Sequence, residues 1–252
     1  MSEKIWHLKR CDLFEKLTPE QLNRLESRAR VRKFPRNSPI YLPADNADGV
    51  MLLASGRVKI CSFTHDGKQA IIALIEPGEL FGELAILQAG QREEYAEAAE
   101  ASTLILLPAD ELRQMMEELA HLTLGITKLV GLRRRRIERR LKNLLFRSNR
   151  ERLVHLLLEL AEQYGKRTPQ GVLLDIRLSH QDLASIIGST RETVTVVLGE
   201  LQNEGQLELG RRKITLCHLE RLAQSIEAPV PMLNEPACPW PPAPLGRVSP
   251  CS

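Results

Sequence analysis

Several things are scarce in this chain of 252 residues, and each scarcity removes a class of function. No uninterrupted apolar run approaches the roughly 18 residues needed to span a bilayer, and the opening MSEKIWHLKRCDLF has no apolar core of signal-peptide length. The expectation is a cytoplasmic protein with no membrane partner. The five cysteines, Cys11, Cys61, Cys217, Cys238 and Cys251, are scattered and odd in number, and no C-x-x-C or H-x-x-x-H pair occurs. A disulfide framework, a thiolate zinc site and an iron–sulfur site are therefore all unsupported, so no metal is expected and no cofactor is identified. Nucleophile–base pairing and a phosphate-cradling Gly-x-x-x-x-Gly-Lys loop are missing as well, which argues against an enzyme.

What is present is unevenly charged. Residues 1–110 carry 14 basic and 16 acidic side chains, whereas residues 111–224 carry 20 and 14. The excess of positive charge in the second half suits a polyanionic partner.

The N-terminal half reads first as a short helix, capped at Thr18 with Pro19 at its first position and Leu22 and Leu25 facing inward. From Phe34 to about Leu107 the pattern changes to short β-rich runs divided by turns, with Gly56, Gly67 and Gly78 recurring every eleven residues. Even spacing of this kind predicts an antiparallel barrel or jelly roll of about eight strands, able to enclose a small ligand. Within it lies Phe81-Gly82-Glu83-Leu84-Ala85. A Gly-Glu pair after a strand offers N–H groups and a carboxylate to a ribose hydroxyl, or it is a turn that merely packs; the segment alone leaves both open.

From Asp110 to about Arg147 apolar residues recur at helical spacing: Leu112, Met115, Leu119, Leu122, Ile126, Leu129, Val130, Ile137, Leu141 and Leu144. One long helix with a coiled-coil seam, hence a homodimer, is the expectation. Four successive arginines, Arg133 to Arg136, interrupt it and point in different directions around the helix, so that one or two face the seam or a ligand and the rest are solvated. A second helix over Glu151–Tyr164, a surface loop over Gly165–Gly171 and a short strand over Val172–Ile176 follow.

The most informative stretch is Ser179 to Asn203, SHQDLASIIGSTRETVTVVLGELQN. Ser179 with Asp182 three residues on caps a helix bearing Leu183, Ala184 and Ile187 on one face; Gly188 ends it; Val194, Val197 and Leu198 resume an apolar stripe. This is the grammar of a helix-turn-helix. The second helix leaves Thr190, Arg191, Glu192, Thr195 and Val196 at its exposed N-terminal end, the end such motifs place in the major groove. Arg pairs bidentately with guanine and Glu accepts from a cytosine amino group. After it, Gln206–Leu209 and Ile214–Leu216 form a hairpin whose tip, Arg211, Arg212 and Lys213, would touch phosphate as the wing of a winged helix. The tail from Ala228 holds eight of the fifteen prolines and reads as a disordered extension.

The fold class is thus α+β, with four segments: a roll over 1–109, a dimerisation helix over 110–147, a winged helix over 148–227 and a Pro-rich tail over 228–252. Phe81-Gly82-Glu83-Leu84, the long helix and Gly188-Ser189-Thr190-Arg191-Glu192-Thr193-Val194 together resemble the Crp–Fnr superfamily of bacterial transcription regulators, over residues from about 10 to 225. The resemblance implies a cyclic-nucleotide-binding type of β-roll, base contacts from Arg191 and Glu192, and phosphate contacts from Gln181, Ser189 and Thr193. It further implies a homodimer on palindromic double-stranded DNA that acts on RNA polymerase, partly through the loop Gly165–Gly171. Val196 stands where the cyclic-AMP receptor type has a second base-reading arginine; it suits a thymine methyl instead. The family's phosphate-holding Arg-Ser pair falls at Glu93-Glu94 and its adenine-facing Thr-Ser pair at Ile137-Glu138. The effector pocket so drawn contains Gly82, Glu83, Leu84, Glu93, Glu94, Arg133 and Ile137. Two carboxylates repel a phosphate, so activation by cyclic AMP in the usual way is not expected and the effector is unknown. The SHQ…IGSTR…TVT wording is similar to the cyanobacterial nitrogen-control branch, which responds to 2-oxoglutarate. The alternative function is a ligand-binding signalling module whose C-terminal domain makes protein contacts.

Overall fold

The computed structural model describes residues 3–233 apart from Arg10, Gln88, Ala89 and Arg212. Two compact units divide the chain between Leu145 and Phe146.

The first unit opens with α1 (Glu3–Lys9), a 3-10 turn over Asp12–Phe14 and α2 (Pro19–Arg28). Thr18 caps α2 in a reciprocal box with Gln21, and Leu22 and Leu25 are buried, as the sequence indicates. Helix α1 carries no strong local signal; Lys4 Nζ holds it by donating to the carbonyls of Glu26 and Ala29 at the end of α2, each at 3.2 Å.

Eight strands follow: β1 (Arg30–Phe34), β2 (Pro39–Tyr41), β3 (Gly49–Ser55), β4 (Val58–Phe63), β5 (Gln69–Ile75), β6 (Leu80–Phe81), β7 (Tyr95–Ala98) and β8 (Ser102–Pro108), with α3 (Leu84–Leu87) between β6 and β7. They form two antiparallel four-stranded sheets, ordered β1-β8-β3-β6 and β2-β7-β4-β5. Gly56, Gly67 and Gly78, the eleven-residue series, all sit at positive φ in the turns of this roll.

Strand β3 shows why the sequence reads as a continuous apolar run there. Its Met51 and Leu53 join Tyr41, Ile60, Ile75, Phe81 and Leu104 in the roll interior. Its Val50 and Leu52, pointing the other way at the two-residue period, join Phe14, Leu25, Ile105, Leu107 and Leu112 beneath the helices. Both faces of the strand are covered, so neither can be polar.

The long helix expected over Asp110–Arg147 is two helices, α4 (Ala109–Glu118) and α5 (Ala120–Phe146). Leu119 adopts φ −128°, ψ 93°, outside the helical region. The break frees carbonyls at the end of α4, and the chain satisfies them locally: Leu119 N–H donates to Met115 O and the Thr123 hydroxyl to Met116 O, both in the normal range. The apolar series also divides. Leu112, Met115, Leu122 and Ile126 are buried within this unit, whereas Ile137, Leu141 and Leu144 are 50%, 53% and 42% exposed.

The second unit holds α6 (Asn149–Tyr164), β9 (Gly165–Thr168), β10 (Gly171–Leu174), α7 (His180–Ile187), α8 (Arg191–Asn203), β11 (Leu207–Gly210), β12 (Lys213–Leu216) and α9 (Leu219–Ser225). Ser148 caps α6 with Glu151, so this helix begins two residues before the expected Glu151. The expected surface loop over Gly165–Gly171 is also corrected: Gly165–Thr168 is a strand, paired antiparallel with β10 in a sheet ordered β11-β12-β10-β9. Glycine and proline bound a tight hairpin here, with Pro169 and Gln170 at its turn and the Thr168 hydroxyl donating to Gly171 O at 2.9 Å. Of the Pro-rich tail, residues from Asn234 on lie outside the described residues.

Candidate DNA-reading surface and effector pocket

Helix α7 starts at Ser179, whose hydroxyl accepts from Asp182 N–H while its own N–H donates to the Asp182 carboxylate at 2.9 Å. Leu183, Ala184, Ile186 and Ile187 are buried, and Gly188 takes φ 66°, ψ 46°, the left-handed conformation that closes a helix. Ser189 N–H then donates to Ala184 O at 3.0 Å. Arg152 of α6 adds a positively charged donor to Ile187 O, the right sign for a helix C-terminus. Replacing Gly188 by Ala should destabilise the second unit by about 1–2 kcal/mol, since an L side chain at this φ crowds its own carbonyl. The thermal midpoint of that unit should fall by about 4–8 °C per kcal/mol, readable by calorimetry.

Thr190 caps α8, its hydroxyl accepting from Thr193 N–H at 3.2 Å. Val194, Val197, Leu198 and Leu201 are buried, which fixes the rotation of the helix. Its outward face therefore carries Arg191, Glu192, Thr195 and Val196, all exposed, Val196 by 60%. Neither Arg191 nor Glu192 has an ion-pair or hydrogen-bond partner for its side chain among the described residues, so both heads are available to a ligand.

The neighbouring polar groups differ in readiness. Gln181 is exposed and its amide makes only a long 3.4 Å bond to Ser185 Oγ. Ser189 and Thr193 are half-buried, and the Thr193 hydroxyl is already paired with that of Thr190 at 3.0 Å. In the hairpin β11–β12, Gly210 stands opposite Lys213, and Arg211 and Lys213 are exposed. Arg212, the third cation expected at this tip, lies outside the described residues.

Two residues that sequence reasoning missed support this surface. His180 Nδ1 lies 2.9 Å from Thr195 Oγ1, whose own hydrogen goes to Arg191 O at 2.8 Å. Nδ1 must then be the donor, which sets the tautomer and ties the first helix to the exposed face of the second. Arg150 on α6 reaches Glu200 at 3.3 Å and Glu204 at 2.6 Å, gripping the far end of α8. A histidine inside a motif whose pattern is apolar, and an arginine fifty residues from its partners, leave no periodic trace.

In the roll, Glu83 is buried and pairs with Arg133 of α5, which also donates to Leu80 O. Of the four arginines from Arg133 to Arg136, this one alone turns into the roll; Arg134 pairs with Glu138 at 2.7 Å on the helix surface. Arg92, which the sequence did not single out, is 8% exposed. Its guanidinium donates to Gly82 O at 3.0 Å and to Gly49 O, and lies 4.7 Å from the centre of the Tyr41 ring, a cation–π distance. Gly82, at φ 71°, has room for no side chain: a Cβ there would stand 2.5 Å from the Arg92 head.

Glu94 is half-buried, and burial, then the nearby Glu83 charge, raises its pKa; burial likewise pushes the Tyr41 hydroxyl up, so it stays neutral. Of the other residues drawn into this pocket, Glu93 points to solvent, Leu84 is 51% exposed and Ile137 50% exposed. The interior thus brings together Gly82, Glu83, Glu94 and Arg133, adds Arg92 and Tyr41, and leaves Leu84, Glu93 and Ile137 outside. Its two guanidinium groups and two carboxyl groups balance one another.

Comparison with known proteins decides the family. The pattern described as "Cyclic nucleotide-binding domain" matches residues 31–119, and that described as "Crp-like helix-turn-helix domain" matches residues 151–225. The global nitrogen regulator of Synechocystis sp. is 34% identical over 199 residues, covering 77% of this chain and 87% of that protein. The chain belongs to the Crp–Fnr family. It is a DNA-binding transcription regulator, not an enzyme, and its helix-turn-helix and β-roll are those of the family. The cyclic AMP receptor protein of Thermus thermophilus is similar at 33% identity, over 81% of this chain and 91% of that one. A solved transcriptional regulator of the Crp/Fnr family, also from Thermus thermophilus, superimposes with a TM-score of 0.62 at 30% identity, over 79% of this chain and 99% of that one. Relatives named for nitrogen control and for cyclic AMP stand at nearly equal identity, so likeness does not choose an effector for this Crp–Fnr protein. Among the described residues no helix is long and apolar enough to cross a membrane, and no group of three His, Cys, Asp or Glu is placed to hold a metal.

Proposed function

We propose that this Crp–Fnr protein is a cytoplasmic homodimer that binds a palindromic DNA site, reads bases with Arg191, Glu192 and Val196, and regulates RNA polymerase without the usual activation by cyclic AMP. One observation carries the DNA reading: the N-terminal end of α8 presents Arg191 and Glu192, unpaired among the described residues, beside Thr195 and Val196 on a helix whose opposite face is buried. Gln181, Ser189 and Thr193, with Arg211, Arg212 and Lys213 of the wing, supply the phosphate contacts that hold the helix in the groove. A protein-docking domain would need neither unpaired base-reading groups nor a cationic wing.

The homodimer rests on the exposed apolar residues Ile137, Leu141 and Leu144, which lie at spacings of four and three along α5. The cyclic AMP reading rests on the interior of the roll. The guanidinium of Arg92 is spent on Gly82 O and Gly49 O, Arg133 is spent on Glu83, and Glu93-Glu94 stand where the family's phosphate-holding pair is expected. Arg92 keeps only its Nε without a hydrogen-bond partner among the described residues.

Titration of the full chain with a pool of duplex DNA, with and without cyclic AMP, tests both parts. Binding should weaken steeply with added salt, as phosphate contacts require, and should not change with cyclic AMP. Failure to bind DNA would overturn the reading of α8, and a clear rise in affinity with cyclic AMP would overturn the reading of the roll.

A further inference from the structure

A groove of about 590 Å³ lies between the segment around the 3-10 turn, the β5–β6 turn and α5. That volume is in the range of small-molecule sites, roughly 300–1,000 Å³. Its walls combine two kinds of surface. Leu13, Leu129 and Leu132 are apolar, while Lys16, Lys128 and Arg136 are basic against one carboxylate, Glu79, which accepts from Glu76 N–H at 2.9 Å.

Glu79 ion-pairs with Arg136 at 3.9 Å and so offsets one of the three cations. Lys16 and Lys128 have no ion-pair partner among the described residues. Arg133 also lines the groove, but its charge is taken by Glu83. The groove therefore keeps a surplus of positive charge where the roll interior is balanced. His121 lines the same space, and its ring Nε2 is buried with no hydrogen-bond partner among the described residues. At Gly125 a Cβ would collide with Leu13, so the missing side chain lets the N-terminal segment lie close against α5.

We infer that this groove is a binding site for a small carboxylate with an apolar body, its head group held by Lys16, Lys128 and Arg136 and its body against Leu13, Leu129 and Leu132. Of the groove residues of α5, Gly125, Lys128, Leu129, Leu132 and Arg136 follow one another at spacings of three, one, three and four along one face, with His121 a turn before them and Arg133 at the edge of that face. Ile137, Leu141 and Leu144 run along another, so pairing of two chains through that face leaves the groove open. The site depends only on geometry within the first unit and stands apart from the DNA reading. Arg133 lines it while holding Glu83 of the roll, which puts the two spaces on opposite sides of one side chain.

Calorimetric titration of the full chain with octanoate tests the inference. Octanoate should bind, and the Lys16→Glu, Lys128→Glu double variant should bind it about tenfold or more weakly, because two charge-assisted contacts become repulsive. Octanamide, which has the same chain without the charge, should be weakened by a similar factor. Both lysines are exposed, so the double variant keeps its core, and circular dichroism checks that it folds. A Leu132→Trp variant, which fills the apolar end from a 43% exposed position, should weaken octanoate without altering the charge. No heat with millimolar octanoate, unchanged binding in the double variant, or octanamide binding as tightly as octanoate would each overturn the site.

Discussion

Arg191→Ala is expected to abolish sequence-specific DNA binding while leaving weak, salt-sensitive binding to any duplex. Arg191 is the first residue of α8, exposed and without a partner for its guanidinium among the described residues, so its removal costs the fold nothing that the structure shows. A bidentate arginine–guanine contact discriminates by about 1–3 kcal/mol, and a dimer makes it twice, so about 2–6 kcal/mol of specificity is at stake. The wing and Gln181 of α7, proposed here to touch phosphate, remain in this variant, and contacts of that kind carry no sequence information. Competition between a selected site and random DNA measures the ratio directly. A variant whose preference matches that of the parent would remove Arg191 from the bases.

The second large effect is expected from Leu141→Glu with Leu144→Glu. Both leucines are about half exposed in the single chain and contribute to neither buried cluster of the first unit, so the double variant should fold. Facing a second copy, however, the four introduced carboxylates would be brought together without partners. The chain should become monomeric by sedimentation. Its affinity for a two-half-site operator should fall by about a hundredfold or more, because the second half-site is no longer bound at high effective concentration. Binding to an isolated half-site should stay close to that of the parent. A dimer that survives both charges would place the interface elsewhere on the chain.

How much of this was legible in the sequence depends on whether local signals agreed. In the helix-turn-helix they all do: Ser179 and Asp182 cap one helix, Gly188 supplies the positive φ that ends it, and Thr190 caps the next. In the roll, the eleven-residue glycine series marks turns that only positive φ can make. The break at Leu119 is different. No glycine or proline marks it, and the apolar spacing runs through it unbroken, because both helices press the same unit's core. The hairpin from Gly165 to Leu174 was hidden by residues that serve loops and tight turns equally well.

The effector pocket was least legible. Glu93 and Glu94 are adjacent in the chain, yet one faces water and the other is half-buried, while Arg92 beside them fills the space. This segment precedes β7 and lacks its regular alternation, so no period in the sequence says which way each side chain turns. Charge type could be read there; direction could not.

If two copies of α8 read an inverted repeat, selection of bound duplexes from a random pool by the full chain, followed by sequencing, shows it most directly. Two half-sites in inverted orientation should be enriched, their centres about one helical turn apart, with Arg191→Ala losing the most constrained base pair in each half. Enrichment of a single unpaired half-site, or of no sequence at all, would contradict a dimeric reader built on α8.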